Sequence, residues 1–232
     1  MTLRTPPPTS AGDRSSPGID PTFFWTVLKA YDSWTTRLYL VTRYSIISRI
    51  LTDLLSNLPR QATVLNLGSG IGLFDLYAAY HRPESRFVGV DIDRKRIELS
   101  QLAAARLGLT NVEFVHGDVT GTLPDLAPDV IVALDVLHHV SPEAREKILD
   151  WCGARLPVGG VCFIKDISTA TPWKVTFTKV LDDLMTGWDP VYYFPVATLR
   201  AQLEARGMHT TAFHLWDYIP FPHVIYVARK WR

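Results

Sequence analysis

Cysteine is nearly missing from this chain of 232 residues: only Cys152 and Cys162 occur, with no close spacing between them. That excludes a disulfide framework and a cysteine-based zinc site, so no metal is expected, and it fits a reducing compartment. An excess of one charge is missing too. The 24 Lys and Arg balance 23 Asp and Glu, for a formal net charge of +1. Such a balance offers no basic stripe for a nucleic acid and no attraction to an acidic surface. No apolar run approaches the roughly 20 residues of a membrane span, so no integral membrane segment is expected. The first twenty residues are rich in Pro, Ser and Thr and lack the apolar centre of a secretory signal. They read as a disordered tail, and a cytoplasmic protein is the expectation.

What is present is apolar content, 47% of the chain, enough for one sizeable core. Residues 21–60 read as a helical cap. Within it Leu40, Tyr44, Ile47, Leu51, Leu54 and Leu58 recur at steps of four and three, which puts them on one helix face. That stripe is expected to bury against the core, and Pro59 ends it. Residues 61–232 read as the core itself. Short apolar strands alternate with helical segments: Val64 to Leu67, Phe87 to Val90, Val112 to Val115, Val130 to Leu134 and Val161 to Ile164. Asp93 and Ser141 stand where helix caps belong, with Pro142 in a first turn. Two further strands, Thr210 to Trp216 and Val224 to Ala228, close the chain as an antiparallel pair. The expected fold class is α/β: a doubly wound, mainly parallel seven-stranded sheet with a C-terminal antiparallel hairpin and helices on both faces.

Asn66-Leu67-Gly68-Ser69-Gly70-Ile71-Gly72 follows the first strand directly and precedes a helix. A strand, a glycine turn and a helix in that order make a nucleotide-type pocket, because glycine lets a ligand approach the backbone. A dinucleotide fingerprint would need glycine at 73, where this chain has Leu73. That points to a nucleoside ligand without a pyrophosphate and argues against a nicotinamide-dependent oxidoreductase. Ligands in such sheets bind beyond the carboxyl ends of the strands. There the sequence puts the glycine turn, Asp91, Gly117-Asp118-Val119, Asp135 and Lys165-Asp166.

These motifs in this order resemble the class I, Rossmann-like S-adenosylmethionine-dependent methyltransferases, in particular bacterial enzymes acting on small molecules of specialised metabolism. Val64 to Gly72 matches that family's first motif and Val88-Gly89-Val90-Asp91 its acidic second strand. His116-Gly117-Asp118-Val119 matches the adenine-contacting turn, Asp129 to Val140 the fourth strand with its loop, and Leu156 to Gly160 the entry to the fifth. The resemblance spans about residues 60 to 170 and implies S-adenosylmethionine as cofactor. It implies cofactor contacts at Asn66, Gly68, Ser69, Gly70, Asp91, Ile92, Asp118, Val119 and Asp135. Asp91 would accept from the ribose hydroxyls, Ile92 would pack on the adenine, and Asp118 and Val119 would bond its edge. Asn66 departs from the family, which has an acid there to hold the cofactor's positive end.

Methyl transfer to oxygen or nitrogen needs a base, and a histidine suits that near neutral pH. His139, four residues beyond Asp135 as in similar enzymes, is the first candidate and His138 the second. Asp166 is expected to orient the substrate or the histidine. Lys165 is either a surface lysine or a contact for a substrate acid. The aromatic segments Phe23 to Trp34 and Trp173 to Phe194, the latter in an insertion near 170–195, are expected to cover an apolar or aromatic acceptor. No Asn-Pro-Pro-Tyr-type tetrapeptide follows the fourth strand, so the expected partner is a small molecule and not a nucleic acid. O-methylation is the leading expectation. A fold that binds the cofactor without transferring a methyl group, as a partner subunit or cyclase, is the alternative, and a homodimer stays open.

Overall fold

The computed structural model describes residues 21–121, 123–186, 190–214 and 222–232. The expected tail, residues 1–20, lies outside them, as does much of the connection after residue 214. Two helices lead the chain, α1 (Pro21–Lys29) and α2 (Trp34–Asn57). Then come β1 (Thr63–Leu67), α3 (Leu73–His81), β2 (Arg86–Asp91), α4 (Arg94–Arg106), β3 (Val112–His116) and β4 (Val130–Leu134). A single 3-10 turn, Leu137–His139, leads into α5 (Pro142–Arg155) and β5 (Val161–Ile167). The chain closes with α6 (Pro172–Thr186), α7 (Val196–Ala205), β6 (Met208–His214) and β7 (His223–Lys230).

The strands form one seven-stranded sheet in the order β3-β2-β1-β4-β5-β7-β6. The first five run parallel, and β7 lies antiparallel between β5 and β6. Successive strands step outward from β1 to β3. The chain then returns to β4 on the other side of β1 and steps outward the opposite way. Such a reversal leaves a crevice above the carboxyl ends of β1 and β4.

Side chains alternate across the sheet, so each strand feeds two cores. Val64, Phe87, Val132 and Phe163 face α1 to α4, while Leu65, Val88, Ile131 and Ile164 face the α5 and α7 side. The apolar stripe of α2 buries as its periodicity predicts: Leu40, Ile47, Leu51, Leu54 and Leu58 are all inside. Tyr44 completes the stripe by stacking on Phe24, ring centroids 3.9 Å apart. The caps are in place as well. Asp93 Oδ1 accepts from the Lys95 and Arg96 amides, and Ser141 Oγ from the Ala144 amide.

One boundary differs in a way that matters. Lys165 and Asp166 are expected just past the fifth strand, yet β5 continues through Ile167. Its ladder with β7 runs unbroken from Val161↔Arg229 to Ile167↔His223. The long antiparallel partner extends the strand and sinks both charged residues into the sheet.

Candidate active site

The glycine turn forms the floor at one end of the crevice. The amides of Gly68 and Ser69 donate to the Val90 carbonyl at 2.8 and 2.9 Å, tying the turn to the tip of β2. Gly68 has φ +71, and a Cβ there would lie 2.4 Å from Val136 Cγ2, so the loop after β4 occupies the place of its side chain. Gly70, at φ +57, has open space where a Cβ would stand. The turn is also held from outside: the buried Tyr31 hydroxyl, from the chain between α1 and α2, donates to the Ile71 carbonyl at 2.5 Å.

Asp91 ends β2 and is almost fully buried. Its Oδ2 accepts from the Gly70 amide at 2.7 Å and its Oδ1 from the Asp93 amide at 2.9 Å. Each oxygen keeps a second lone pair, so a carboxylate aimed by backbone donors can still accept two hydroxyls. Beside it Ile92 is 67% exposed, an apolar side chain facing the crevice rather than a core. Asp118 Oδ1 accepts from the Thr120 amide and hydroxyl, both at 2.8 Å, which fixes the turn before Val119. Behind the glycines Asn66 donates from Nδ2 to Asp75 Oδ2 at 2.8 Å. Asp75 is completely buried on α3. Burial pushes its carboxyl up to about 7, against the Asn66 hydrogen bond and its own backbone bond, with the Asp91 charge adding to the rise. Asn66 Oδ1 and Ser69 Oγ are buried without a hydrogen-bond partner among the described residues.

The other end of the crevice is built from charged side chains. Asp135 follows β4 with φ 60, the one positive φ among the described non-glycine residues. Aspartate tolerates that conformation better than most side chains. Its carboxylate lies between two cations: Lys165 Nζ reaches Oδ1 at 2.5 Å, and the Arg43 guanidinium from α2 reaches Oδ2 at 2.7 Å. Burial would push the Asp135 carboxyl up. The charges of Lys165 and Arg43, with His223 and His138 beyond them, outweigh it and hold the group well below the usual carboxylate range. Burial also pulls the Lys165 ammonium below the ordinary lysine value, Asp135 opposing and Arg43 adding to the fall.

His138 and His139 form the 3-10 turn after β4. His138 is buried, and its Nδ1 lies 2.6 Å from Asp166 Oδ1 on β5, which also accepts from the Ile167 amide at 2.7 Å. The Tyr193 ring stacks on His138 at 5.7 Å. A carboxylate on Nδ1 sets the tautomer with the proton there and leaves Nε2 as the basic nitrogen. His139 is half-buried and stacks beside His138, centroids 4.1 Å apart.

The two ends open into one cavity of about 720 Å³. Every residue expected to contact the cofactor lines it, and so do both histidines; Asp166 stands behind His138. Asp135 is a counter-ion to Lys165 and Arg43 there. Of the two aromatic segments expected to cover the acceptor, the later one brings Tyr193 onto His138, while the rings of the first take other places. Phe23, Phe24 and Tyr31 are buried in the core, Phe23 packing on Tyr77, Tyr80 and His81 of α3, because that helix presents an aromatic face needing cover. Trp25, Trp34 and Trp173 point to solvent, and Phe194 lies under the Arg145 guanidinium. The apolar wall of the cavity instead includes Tyr39, Ile46, Ile47 and Phe74.

Sequence reasoning left out Arg43, Asp75 and His223. Two had a legible signal. Arg43 is three residues after Leu40 and four before Ile47, a charge inside a buried stripe, and Asp75 interrupts an otherwise apolar helix. His223 had none, because only the strand order brings it to the cavity.

The sheet order and the glycine turn define a nucleotide-type Rossmann-like domain. Residues 64–160 match the family model described as a methyltransferase domain. The chain is 33% identical over 117 residues to a ribosomal RNA small subunit methyltransferase G of Marinobacter nauticus, covering 50% of this chain and 52% of that protein. It is 25% identical over 185 residues to a tRNA (guanine-N(7)-)-methyltransferase of Shewanella pealeana, covering 71% and 75%. Among solved structures, magnesium protoporphyrin IX methyltransferase from Synechocystis, with bound S-adenosylhomocysteine, superposes at a TM-score of 0.65. It shares 19% identity and matches 91% of this chain and 96% of its own. Residues 64–160 thus match a methyltransferase domain, and the sheet has the Rossmann-like order of that solved structure; the cofactor these matches point to is S-adenosylmethionine. The chain spans 27%, 52% and 30% of the lengths of three curated relatives that it matches.

The residues present fit that cofactor. Asp91 has lone pairs to spare for a ribose, Ile92 is an exposed apolar platform, and Gly70 leaves room for close approach. The orphaned Ser69 hydroxyl supplies a further polar contact from the same turn.

Proposed function

We propose that the protein transfers a methyl group from S-adenosylmethionine to an oxygen of a small acceptor with an apolar body, with His138 as general base. The observation that carries this reading is the buried His138 Nδ1–Asp166 Oδ1 contact at 2.6 Å, in the wall of the cavity that also holds Asp91 and the glycine turn. When bound, S-adenosylmethionine supplies an electrophilic methyl group on a sulfonium. Asp91, Ile92 and the turn from Gly68 to Gly70 hold the adenosyl part, with Asp118 and Val119 at its edge. Tyr39, Ile46 and Phe74 exclude water and bind the apolar body of the acceptor. His138 receives at Nε2 the proton that an acceptor hydroxyl must lose, and Asp166 stabilises the imidazolium that results.

His138 is proposed as the base because the Asp166 carboxylate orients it in the cavity wall. An oriented base with a counter-ion is the arrangement that lowers a proton-transfer barrier. Preference for a small acceptor rests on the net charge of +1 and on a cavity of about 720 Å³, within the size of small-molecule sites. The test is mass spectrometry of phenols, hydroxy acids and amines incubated with enzyme and labelled cofactor. Transfer of label to a hydroxyl, with release of S-adenosylhomocysteine, is expected. Binding of the cofactor without such release across the panel would favour the non-methylating alternative.

A further inference from the structure

A buried carboxylate stands behind the glycine turn. Asp75 lies in the first turn of α3 and is completely buried. Besides burial itself, the groups that act on it are Asn66, its own backbone and the Asp91 charge, none of them a cation. Its link to the cavity runs through one neighbour. Asn66 projects from β1 to the face that α3 covers, the face of Val64. There it donates from Nδ2 to Asp75 Oδ2 at 2.8 Å. Asn66 lines the cavity and Asp75 does not.

An amide that spends its N–H end on a carboxylate has its direction settled, because a flipped amide would set oxygen against oxygen. The carbonyl end, Oδ1, is the end left over, and it has no hydrogen-bond partner among the described residues. Ser69 Oγ, three residues on in the glycine turn, is orphaned likewise and belongs to the same cavity wall. Burial raises the Asp75 carboxyl to about 7, so the charge behind the amide is present above neutral pH and absent in mild acid.

Position along the rim indicates the ligand group. The sheet edge runs β3, β2, β1, β4, and the polar residues at or just beyond its tips run Asp118, Asp91, Asn66, Asp135. With the adenine edge at Asp118 and the ribose at Asp91, the remaining half of S-adenosylmethionine lies over β1. That half carries an ammonium and a carboxylate. Of the two, only the ammonium has N–H donors for a carbonyl oxygen backed by a negative charge. We propose that Asp75 is a positioning residue for the cofactor: from α3 it holds the Asn66 amide so that Oδ1 is left for the cofactor's ammonium, and it places its own charge behind that amide. This deepens the cofactor reading of the cavity and rests on it. A polar pair that only fastens α3 to β1 is the other use of the same contact.

Titration calorimetry separates the two uses. The full chain is titrated with S-adenosylhomocysteine and with 5′-methylthioadenosine, which lacks the amino-acid half. Wild-type protein is expected to bind S-adenosylhomocysteine about tenfold more tightly at about pH 8 than at about pH 6, and 5′-methylthioadenosine within about twofold. Asp91 and the Tyr31 hydroxyl, which burial pushes above its ordinary value, are the other ionisable groups coupled to Asp75. His138, His139 and His223 in the cavity wall can change charge with pH too, so the effect read is the part of the slope that Asp75→Asn removes. In that variant S-adenosylhomocysteine should bind about tenfold more weakly at about pH 8, with its pH dependence within about twofold and 5′-methylthioadenosine within about threefold of wild type. A wild-type slope no steeper for S-adenosylhomocysteine than for 5′-methylthioadenosine overturns the proposal, and this arm needs no variant to fold. Wild-type affinity and slope retained in Asp75→Asn overturn it as well, leaving a structural pair. Equal loss of both ligands in that variant also overturns it, because Asp75 would then shape the turn for the adenosyl part. Failure of wild-type protein to bind S-adenosylhomocysteine at either pH is a different result, overturning the cofactor reading underneath.

Discussion

The two ends of the cavity are made by different means. At the β1–β2 end the backbone does the holding: amides of Gly68 and Ser69 on the Val90 carbonyl, and amides of Gly70 and Asp93 on the Asp91 carboxylate. At the β4–β5 end side chains hold one another, Arg43 and Lys165 on Asp135, and Asp166 on His138. Backbone contacts serve any member of a family that binds one common ligand. Side-chain pairs can be exchanged one at a time, so on the proposed reading the second end is where a chain would adapt to its own acceptor. The difference also predicts unequal responses to substitution.

Asp135→Asn should injure stability most, because it removes the carboxylate from the buried Lys165 ammonium. Breaking a buried pair costs about 3 kcal/mol, a fall in Tm of roughly 6–12 °C for a chain of this size. Calorimetry checks it, and a change under 2 °C would show that Lys165 is neutral or reached by water. His138→Gln is next. Removing a general base costs about 10²–10³ in kcat, while S-adenosylhomocysteine affinity should not move. His139→Gln serves as the control and should cost under about fivefold. The reverse ranking of the two histidines would return the base to the residue that spacing alone favours. Asp91→Ala acts at the other end. Loss of its acceptor bonds to the ribose should weaken S-adenosylhomocysteine by about a hundredfold, read by titration, with Asp91→Asn in between.

The smallest effect has the opposite sign. The Asp75 carboxyl binds its proton more tightly in the folded chain than at its ordinary value of 3.8, releasing it only at about 7. Its contribution is therefore whole below about pH 4 and is lost as pH rises through about 7. Asp75→Asn should leave Tm unchanged at pH 4 and raise it at pH 8. The shift bounds the gain at about 4 kcal/mol, and relaxation around a lone buried charge brings it to roughly 1 kcal/mol, or 2–4 °C. A lower Tm at pH 8 would mean that the charge is matched by a partner at this end after all.

The same contrast decides what was legible in the sequence. Glycine turn, Asp91 and the Asp118 turn are each encoded within a few adjacent residues, and a short window suffices to read them. So do the α2 stripe and the caps at Asp93 and Ser141. The β4–β5 end draws on α2, the β4 loop, β5 and β7, and its pairs become visible only once the strand order is known. His138 and Asp166 stand 28 residues apart in the chain, and the spacing from Asp135 to His139 says nothing of which imidazole turns toward β5. The first aromatic segment, Phe23 to Trp34, misled for a related reason. Composition reports that rings are present, but the helix face that needs covering, here the Tyr77–His81 side of α3, determines where they go.

One reversal in the sheet carries a consequence for how such a protein diversifies. Because β7 runs against its neighbours, its beginning stands at the rim that the other strands reach with their ends, so His223 arrives at the cavity straight from a connecting segment. Changes at that rim would leave the ladder from Val224 to Lys230 pinned. Substitutions where β7 begins could thus remodel one wall of the cavity while the glycine turn and Asp91 stay as they are.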